Sequence, residues 1–378
     1  MNKNLSLVTL SNVIMVSSNA LWIIYIQYFL LDLGISKAQI GLIFSVSLMM
    51  RGFGNFVGGR MADLLGYKNT LLIGYTIYSI PPLLILLHDP FLTSLVYPLM
   101  SLGSGIGLPA KSLFIVEQTE KRKGLTYMIV QRALPSIPPA LTAPIGAKFY
   151  EMGEYDTAVF MGFLGLLTSL FLLVSLTDTK KQRVQSPLNF NLLKVGGFTS
   201  LVFIYSLDTF SIEAVQWIVP LYLRELGYSV LDYGFLISAQ TIIIALGGTF
   251  AGAFVDKFGP INALNLSYLA VALSLLTFSL GKGWLLALAY LVWKVFGMVG
   301  FAALPLLIDQ HFKNTKASAL GIINAVTTLI SIPAPSFGGF LLSFGSRTPF
   351  IFKAIVNSIT CGIIPTLKRY QNLQGSVN

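Results

Sequence analysis

Twelve apolar runs, most of them twenty or more residues long, follow one another with short polar breaks, near 7–31, 36–59, 69–87, 91–115, 124–149, 156–176, 196–222, 230–254, 261–280, 284–308, 317–343 and 347–366. A helix of about twenty apolar residues crosses the hydrocarbon layer of a bilayer. Such a layer offers the backbone no hydrogen-bond partner, so each run must satisfy its own amide groups as a helix. Only 11% of the 378 residues are charged, against about 25% in a soluble domain. The polar surface that water would require is missing. The expected fold class is therefore an all-α polytopic membrane protein with 12 transmembrane helices. The first run is too long for the apolar core of a secretion signal and lacks a basic leader, so it reads as a retained helix. The single cysteine, Cys361, excludes an intrachain disulfide and a thiolate metal cluster.

The longest polar connection, 177–195, divides the chain into residues 1–176, a linker, and residues 196–378, with six runs on each side. Charge sets the direction. With the N-terminus inside, the cytoplasmic segments hold Lys3, Arg60, Lys68, Lys121, Arg122, Lys123, Lys180, Lys181, Arg183, Lys194, Lys257, Lys313, Lys316, Lys368 and Arg369. The opposite side holds Lys37, Lys148, Arg224, Lys282 and Arg347. Fifteen against five is a positive-inside bias that places both termini in the cytoplasm of a cell-membrane protein. The net charge of +10 is spread over loops on one face, where anionic lipid headgroups absorb it. No recognition motif gathers it into a nucleic-acid groove.

Two stretches repeat. "GGRMADLLGYK" at 58–68 and "GTFAGAFVDKFG" at 248–259 each read Gly, three residues, Asp, two residues, Gly, and their aspartates stand 256 − 63 = 193 apart. Six runs separate them, so both turns emerge on one side. A second echo, "APIGAKF" at 143–149 and "APSFGGF" at 334–340, has a similar offset of 334 − 143 = 191. Duplicated parallel halves are a transporter plan. Gly59 and Gly252 are expected to let neighbouring helices approach, and Gly66 and Gly259 to permit a tight reversal. Asp63 and Asp256 would accept hydrogen bonds from an opposing helix start, with Lys68, Lys257 and Arg51 in the same gating region.

These turns resemble the signature loop of the major facilitator superfamily and its weaker copy in the second half. The Gly-rich "SLGSGIGLPAKSLFIVE" at 101–117 is similar to the family's fourth helix. Tyr67 and Pro260 stand where the family pattern has Arg after the second Gly, and the basic residue often found early in helix four is absent here. The resemblance covers about residues 7–366. It implies two pseudo-symmetric six-helix bundles around a cavity that opens alternately to each side, lined by helices one, four, seven and ten.

Ionisable groups inside spans are costly and mark function by default. Arg51, Lys111, Arg132, Lys294 and Lys353 stand against Asp208 and Glu213. Asp208, in the middle of span seven, is the preferred substrate or coupling group. Lys294 in span ten is a candidate partner for it, or an attractor of an anionic solute, and a permanent structural pair between the two stays open. Glu213 lies about 140° around the helix from Asp208. Arg132 is deep in span five, whereas Lys111 and Lys353 suit snorkelling to headgroups. Asn19, Trp22, Tyr25 and Gln240 are polar or aromatic cavity candidates, and Trp217 is a weaker one. Pro81, Pro82 and the series Pro135, Pro138, Pro139, Pro144 must interrupt helical hydrogen bonding.

No phosphate-binding loop, nucleophile elbow or metal-ligand spacing occurs, so neither an enzyme nor a cofactor is expected. The leading expectation is a secondary transporter of a small organic solute, anionic or sugar-like by the excess of deep basic groups, with a proton as a candidate coupling ion. Its partners are that solute and membrane lipids, and a monomer is expected. A non-transporting receptor or structural protein with a transporter fold, and an exporter of lipophilic drug-like compounds, remain alternatives; a channel is disfavoured because no filter motif appears. Cysteines placed in either acidic turn of a chain lacking Cys361 should both react with a membrane-impermeant thiol reagent from the cytoplasmic side. Labelling of the two from opposite sides would break the six-plus-six arrangement.

Overall fold

The computed structural model describes residues 3–118, 129–177, 196–311 and 316–365. Among them every regular element is helical. The first repeat begins with α1 (Lys3–Trp22), a 3₁₀ turn (Ile23–Tyr25), α2 (Ile26–Asp32), α3 (Lys37–Leu65) and α4 (Tyr67–Ser79). A 3₁₀ stretch (Pro81–Leu87), α5 (Pro90–Glu117), a π turn (Ile129–Ala133), α6 (Pro139–Glu151) and α7 (Tyr155–Val174) follow. The second repeat has α8 (Gly196–Val215), a 3₁₀ turn (Gln216–Ile218), α9 (Val219–Glu225), α10 (Val230–Phe258) and α11 (Pro260–Leu280). It ends with α12 (Gly283–Gly297), α13 (Val299–His311), α14 (Lys316–Ser331), α15 (Ala334–Leu342) and α16 (Thr348–Ile363).

Ten helical stretches of the described chain are long and apolar enough to cross a membrane. The run expected at 124–149 is not among them. Part of it lies outside the described residues, and its prolines divide the rest: the helix restarts at Pro139, where a missing N–H is harmless. The last run is helical over Thr348–Ile363, short of a full span. The doublet Pro81–Pro82 converts the end of the third run to 3₁₀ geometry. Large apolar side chains such as Phe56, Leu141, Phe171, Phe301 and Trp284 face outward, each more than two-thirds exposed, as lipid contact requires. The expected linker, apart from Thr177, lies outside the described residues.

The duplication is visible in the backbone. The end of the first helix and both boundaries of the next two recur 193 residues later: 215 − 22, 219 − 26, 225 − 32, 230 − 37 and 258 − 65 all equal 193. The 3₁₀ turns at 23–25 and 216–218 share that offset. In the second copy Pro220 has no N–H to give the carbonyl four residues earlier, which accounts for the break. A crossing glycine marks both breaks. A Cβ on Gly146 of α6 would collide with the Leu21 carbonyl, and one on Gly338 of α15 with the Ala214 carbonyl; 214 − 21 is again 193. Small residues let these backbones touch.

The chain forms two compact units, residues 1–184 with 217–245, and residues 185–216 with 246–378. In the first, α3 and α4 pack on α5, and α1 on α7. Its Gly-rich stretch explains the closeness: Gly105 would strike the Arg51 carbonyl, and Gly103 the backbone of Gly74 and Tyr78, if either carried a side chain. Leu71, Ala110, Phe114 and Leu173 belong to its core. In the second unit α11 packs on α12 and α16, and α8 on α14 and α16, around Phe198, Ile204, Leu264 and Ile322.

Gly66 and Gly259 adopt φ of 85° and 74°, the left-handed region that the tight reversal needs. The close-approach role expected of Gly59 and Gly252 is corrected: neither would bring a Cβ within 4 Å of a neighbour, and in the first turn the contact falls one residue earlier, Gly58 against Ile106. Gly146→Ala and Gly338→Ala should each lower stability by about 1–3 kcal/mol through overpacking. Gly252→Ala should leave it unchanged or raise it by up to about 1 kcal/mol. Thermal unfolding in detergent reads the difference.

Candidate transport site and its closure

At the end of the first unit where α2 meets α3, five tyrosines cluster. Tyr25 and Tyr28 come from the 3₁₀ turn and α2, Tyr150 and Tyr155 from the α6–α7 junction, and Tyr233 from α10. Tyr233 meets Tyr25 edge-on at 6.3 Å and Tyr28 at 6.1 Å, while Tyr150 lies 6.0 Å from Tyr28 and 5.2 Å from Tyr155. The Tyr25 hydroxyl donates to the Ala143 carbonyl and that of Tyr155 to the Trp22 carbonyl at 3.0 Å. Trp217, at the start of the 217–245 segment, stacks on Phe44 at 5.7 Å.

Charged groups ring this cluster. Arg224 donates to Asp32 at 2.8 Å, the Tyr150 hydroxyl donates to the same carboxylate, Lys37 pairs with Glu225, and the Leu231 amide donates to Glu151 at 2.9 Å. The Asp32 and Arg224 side chains are nearly half exposed. Such pairs contribute about 0–1 kcal/mol each, whereas aromatic pairs add about 0.5–1.5 kcal/mol beyond their buried area. The rings, not the ions, hold this end together.

Of the cavity residues read from the sequence, Trp22 and Tyr25 are fully buried parts of this packing. Asn19 is half-buried and donates to the Tyr78 hydroxyl at 2.7 Å. Gln240 is half-buried on α10. Tyr28, an aromatic group of the first cavity helix, joins them, whereas sequence reasoning missed Asp32, Tyr150, Arg224 and Tyr233 as site residues. A signal existed: "DLGIS" at 32–36 and "ELGYS" at 225–229 repeat at the 193 offset. Each closes on a matching helix start, Ser36 with Gln39 and Ser229 with Asp232.

The second unit holds a polar cluster between α8 and α16. Lys353 donates to Asp208 at 3.1 Å, to Ser211 at 3.1 Å and to Asn357 at 3.4 Å. Its side chain is 1% exposed, and that of Asp208 28%. The snorkelling expected of Lys353 is therefore corrected, since the helix turns this side chain inward onto Asp208. Lys294 takes another environment, its ammonium 4.3 Å from the Trp293 ring centre and 5.0 Å from that of Tyr290. Glu213 accepts from Gln216 at 3.0 Å, apart from this cluster.

Lys111 is also buried rather than snorkelling. It donates to Asn12 at 3.1 Å, and Asn12 donates to the Val130 carbonyl at 2.9 Å. The side chain of Arg132 lies outside the described part of the structure. Asp63 and Asp256 are exposed on the last turns of α3 and α10, and among the described residues neither makes an ion pair or hydrogen bond. Lys68 and Arg51 are half-buried, and Arg51 acts electrostatically on the Tyr78 hydroxyl. No group of three His, Cys, Asp or Glu among the described residues gathers as metal ligands.

The sequence profile of the Major Facilitator Superfamily matches residues 7–199 and 201–371. The chain belongs to that superfamily. Among its relatives are the quinolone resistance protein NorA of Staphylococcus aureus (strain Mu50 / ATCC 700699), 24% identical over 364 residues and 90% of each chain, and the uncharacterized MFS-type transporter MJ1560 of Methanocaldococcus jannaschii, 24% identical over 351 residues, 89% of this chain and 90% of the other. The fold is similar to the crystal structure of the nucleoside transporter NupG, at a TM-score of 0.78 with 16% identity over 98% of this chain and 100% of the other. It also resembles that of a D-xylose-proton symporter, at 0.77 with 14% identity over 96% of each.

A member of the superfamily is a secondary transporter and not an enzyme, and this chain moves a small solute across the membrane by alternating access. The chemistry its site residues can supply is reversible ion pairing and hydrogen bonding. Asp208 is half-buried and Lys353 fully buried, so losing one partner leaves the other charge uncompensated. Asp208→Asn or Lys353→Met alone should cost about 3–5 kcal/mol, and the double variant should cost less than Lys353→Met and Asp208→Asn summed. A double-mutant cycle on thermal unfolding measures this; additive losses would count against a coupled pair.

Proposed function

We propose that the chain is a twelve-helix transporter of two six-helix halves, with both termini cytoplasmic, working as a monomer on a small organic solute and using a proton as coupling ion. One observation carries the alternating-access part of this reading. Residues 217–245, from the second repeat, pack into the first compact unit through aromatic contacts and exposed, individually weak ion pairs. A closure of that kind can break without dismantling either core. Asp63, with Arg51, Lys68, Gly59 and Gly66, and Asp256, with Gly252 and Gly259, would each act as gating groups at their own turn.

Asp208 is the proposed proton-linked group. It stands mid-span, partly open, on a lysine that has no other carboxylate partner among the described residues. Export of lipophilic compounds is a second reading, favoured by the name of the quinolone resistance relative. Accumulation and counterflow of labelled solutes in sealed vesicles distinguish the directions. Asp208→Asn should abolish pH-driven accumulation while leaving solute exchange measurable; driven uptake that persists in this variant would refute the coupling role. Binding without flux across a broad solute panel would refute transport itself.

A further inference from the structure

Inside the membrane the two described lysines of the second unit meet unequal surroundings. Lys353 and Lys294 both lie in or beside its apolar spans, with Asp208 as the carboxylate between α8 and α16. Asp208 is already engaged by Lys353, whose ammonium is enclosed by three oxygens at 3.1–3.4 Å. That pair is neutral, and its lysine is fully buried.

Lys294 is different. It sits near the middle of the span Gly283–Ile308, only half-buried, and no carboxylate among the described residues pairs with it. The rings of Trp293 and Tyr290 stabilise its ammonium from one side. An unpaired ammonium at mid-span is too costly to face hydrocarbon, so its open side must face a wet passage or an ion of opposite sign. Glu213, the other acidic group described in α8, is engaged with Gln216 and not with this lysine.

We infer that Lys294 is the charge-selecting anchor of the transport site and that the solute is an organic anion. A carboxylate, sulfonate or phosphate monoester on a small organic body would supply the missing negative charge. It would bind without disturbing the Asp208–Lys353 pair. The inference rests on the transport reading but not on proton coupling. It assigns Lys294 to solute and leaves Asp208, on Lys353, in the role proposed above.

The test uses the full-length protein, purified for thermal-shift binding and placed in sealed vesicles for flux. The probes are small carboxylates, sulfonates and phosphate monoesters, each beside an uncharged amide or alcohol and an amine of the same carbon frame, with inorganic sulfate and phosphate included. The wild type should prefer the anion over its neutral counterpart by about tenfold or more. Lys294→Met should bring that preference to about parity, while Lys294→Arg should keep most of it. If Lys294 were only structural, both variants would unfold at lower temperature with the charge preference intact, and the inference would fall. It would also fall if amines or neutral probes were preferred, or if inorganic anions competed as well as organic ones. Absence of flux for every probe class, with binding present, would instead overturn the transport reading.

Discussion

A hydrocarbon layer gives a peptide group nothing to bond with, and this constraint orders the whole molecule. It forces the described chain into helices and moves helix contacts to small residues, because lipid tails are as apolar as leucine and no hydrophobic force brings helices together. The α6 and α15 glycines show the result. Each lays its backbone on the carbonyl that precedes the break in the first helix of its repeat. Beside these two contacts the α-helix passes into a 3₁₀ turn, which precedes or holds Tyr25 and Tyr28 in one repeat and Trp217 in the other.

The same constraint governs the polar groups. A charge inside such a medium must be paired, capped by an aromatic ring, or left facing water. Lys353 is paired, Lys111 is hydrogen-bonded to Asn12, and Lys294 leans on its own helix's rings. These three solutions are structural facts of the same fold, and they separate residues that look alike in sequence. What distinguishes an anchoring lysine from a buried structural one is the number of oxygens around its nitrogen.

Much of this was legible before any coordinates. The apolar runs, the duplication and the turn glycines follow from period, length and residue type, which act locally. The rotation of a helix about its axis does not, and Lys353 shows why: a lysine near the end of a span can reach headgroups or turn inward, and only the packing of α16 on α8 decides. Span five also escaped a clean reading, since its prolines replace one helix with a π turn and a restart at Pro139. The tyrosine cluster and the Asp32–Arg224 pair join loops nearly two hundred positions apart in sequence. Their repeated pentapeptide marked the place without revealing the partner.

The aromatic closure joins its segments through ring contacts and half-exposed ion pairs. The stretch that carries Trp217 and Tyr233 can therefore leave the rings of Phe44, Tyr25 and Tyr28 without stranding a buried charge, since Asp32 and Arg224 already reach solvent.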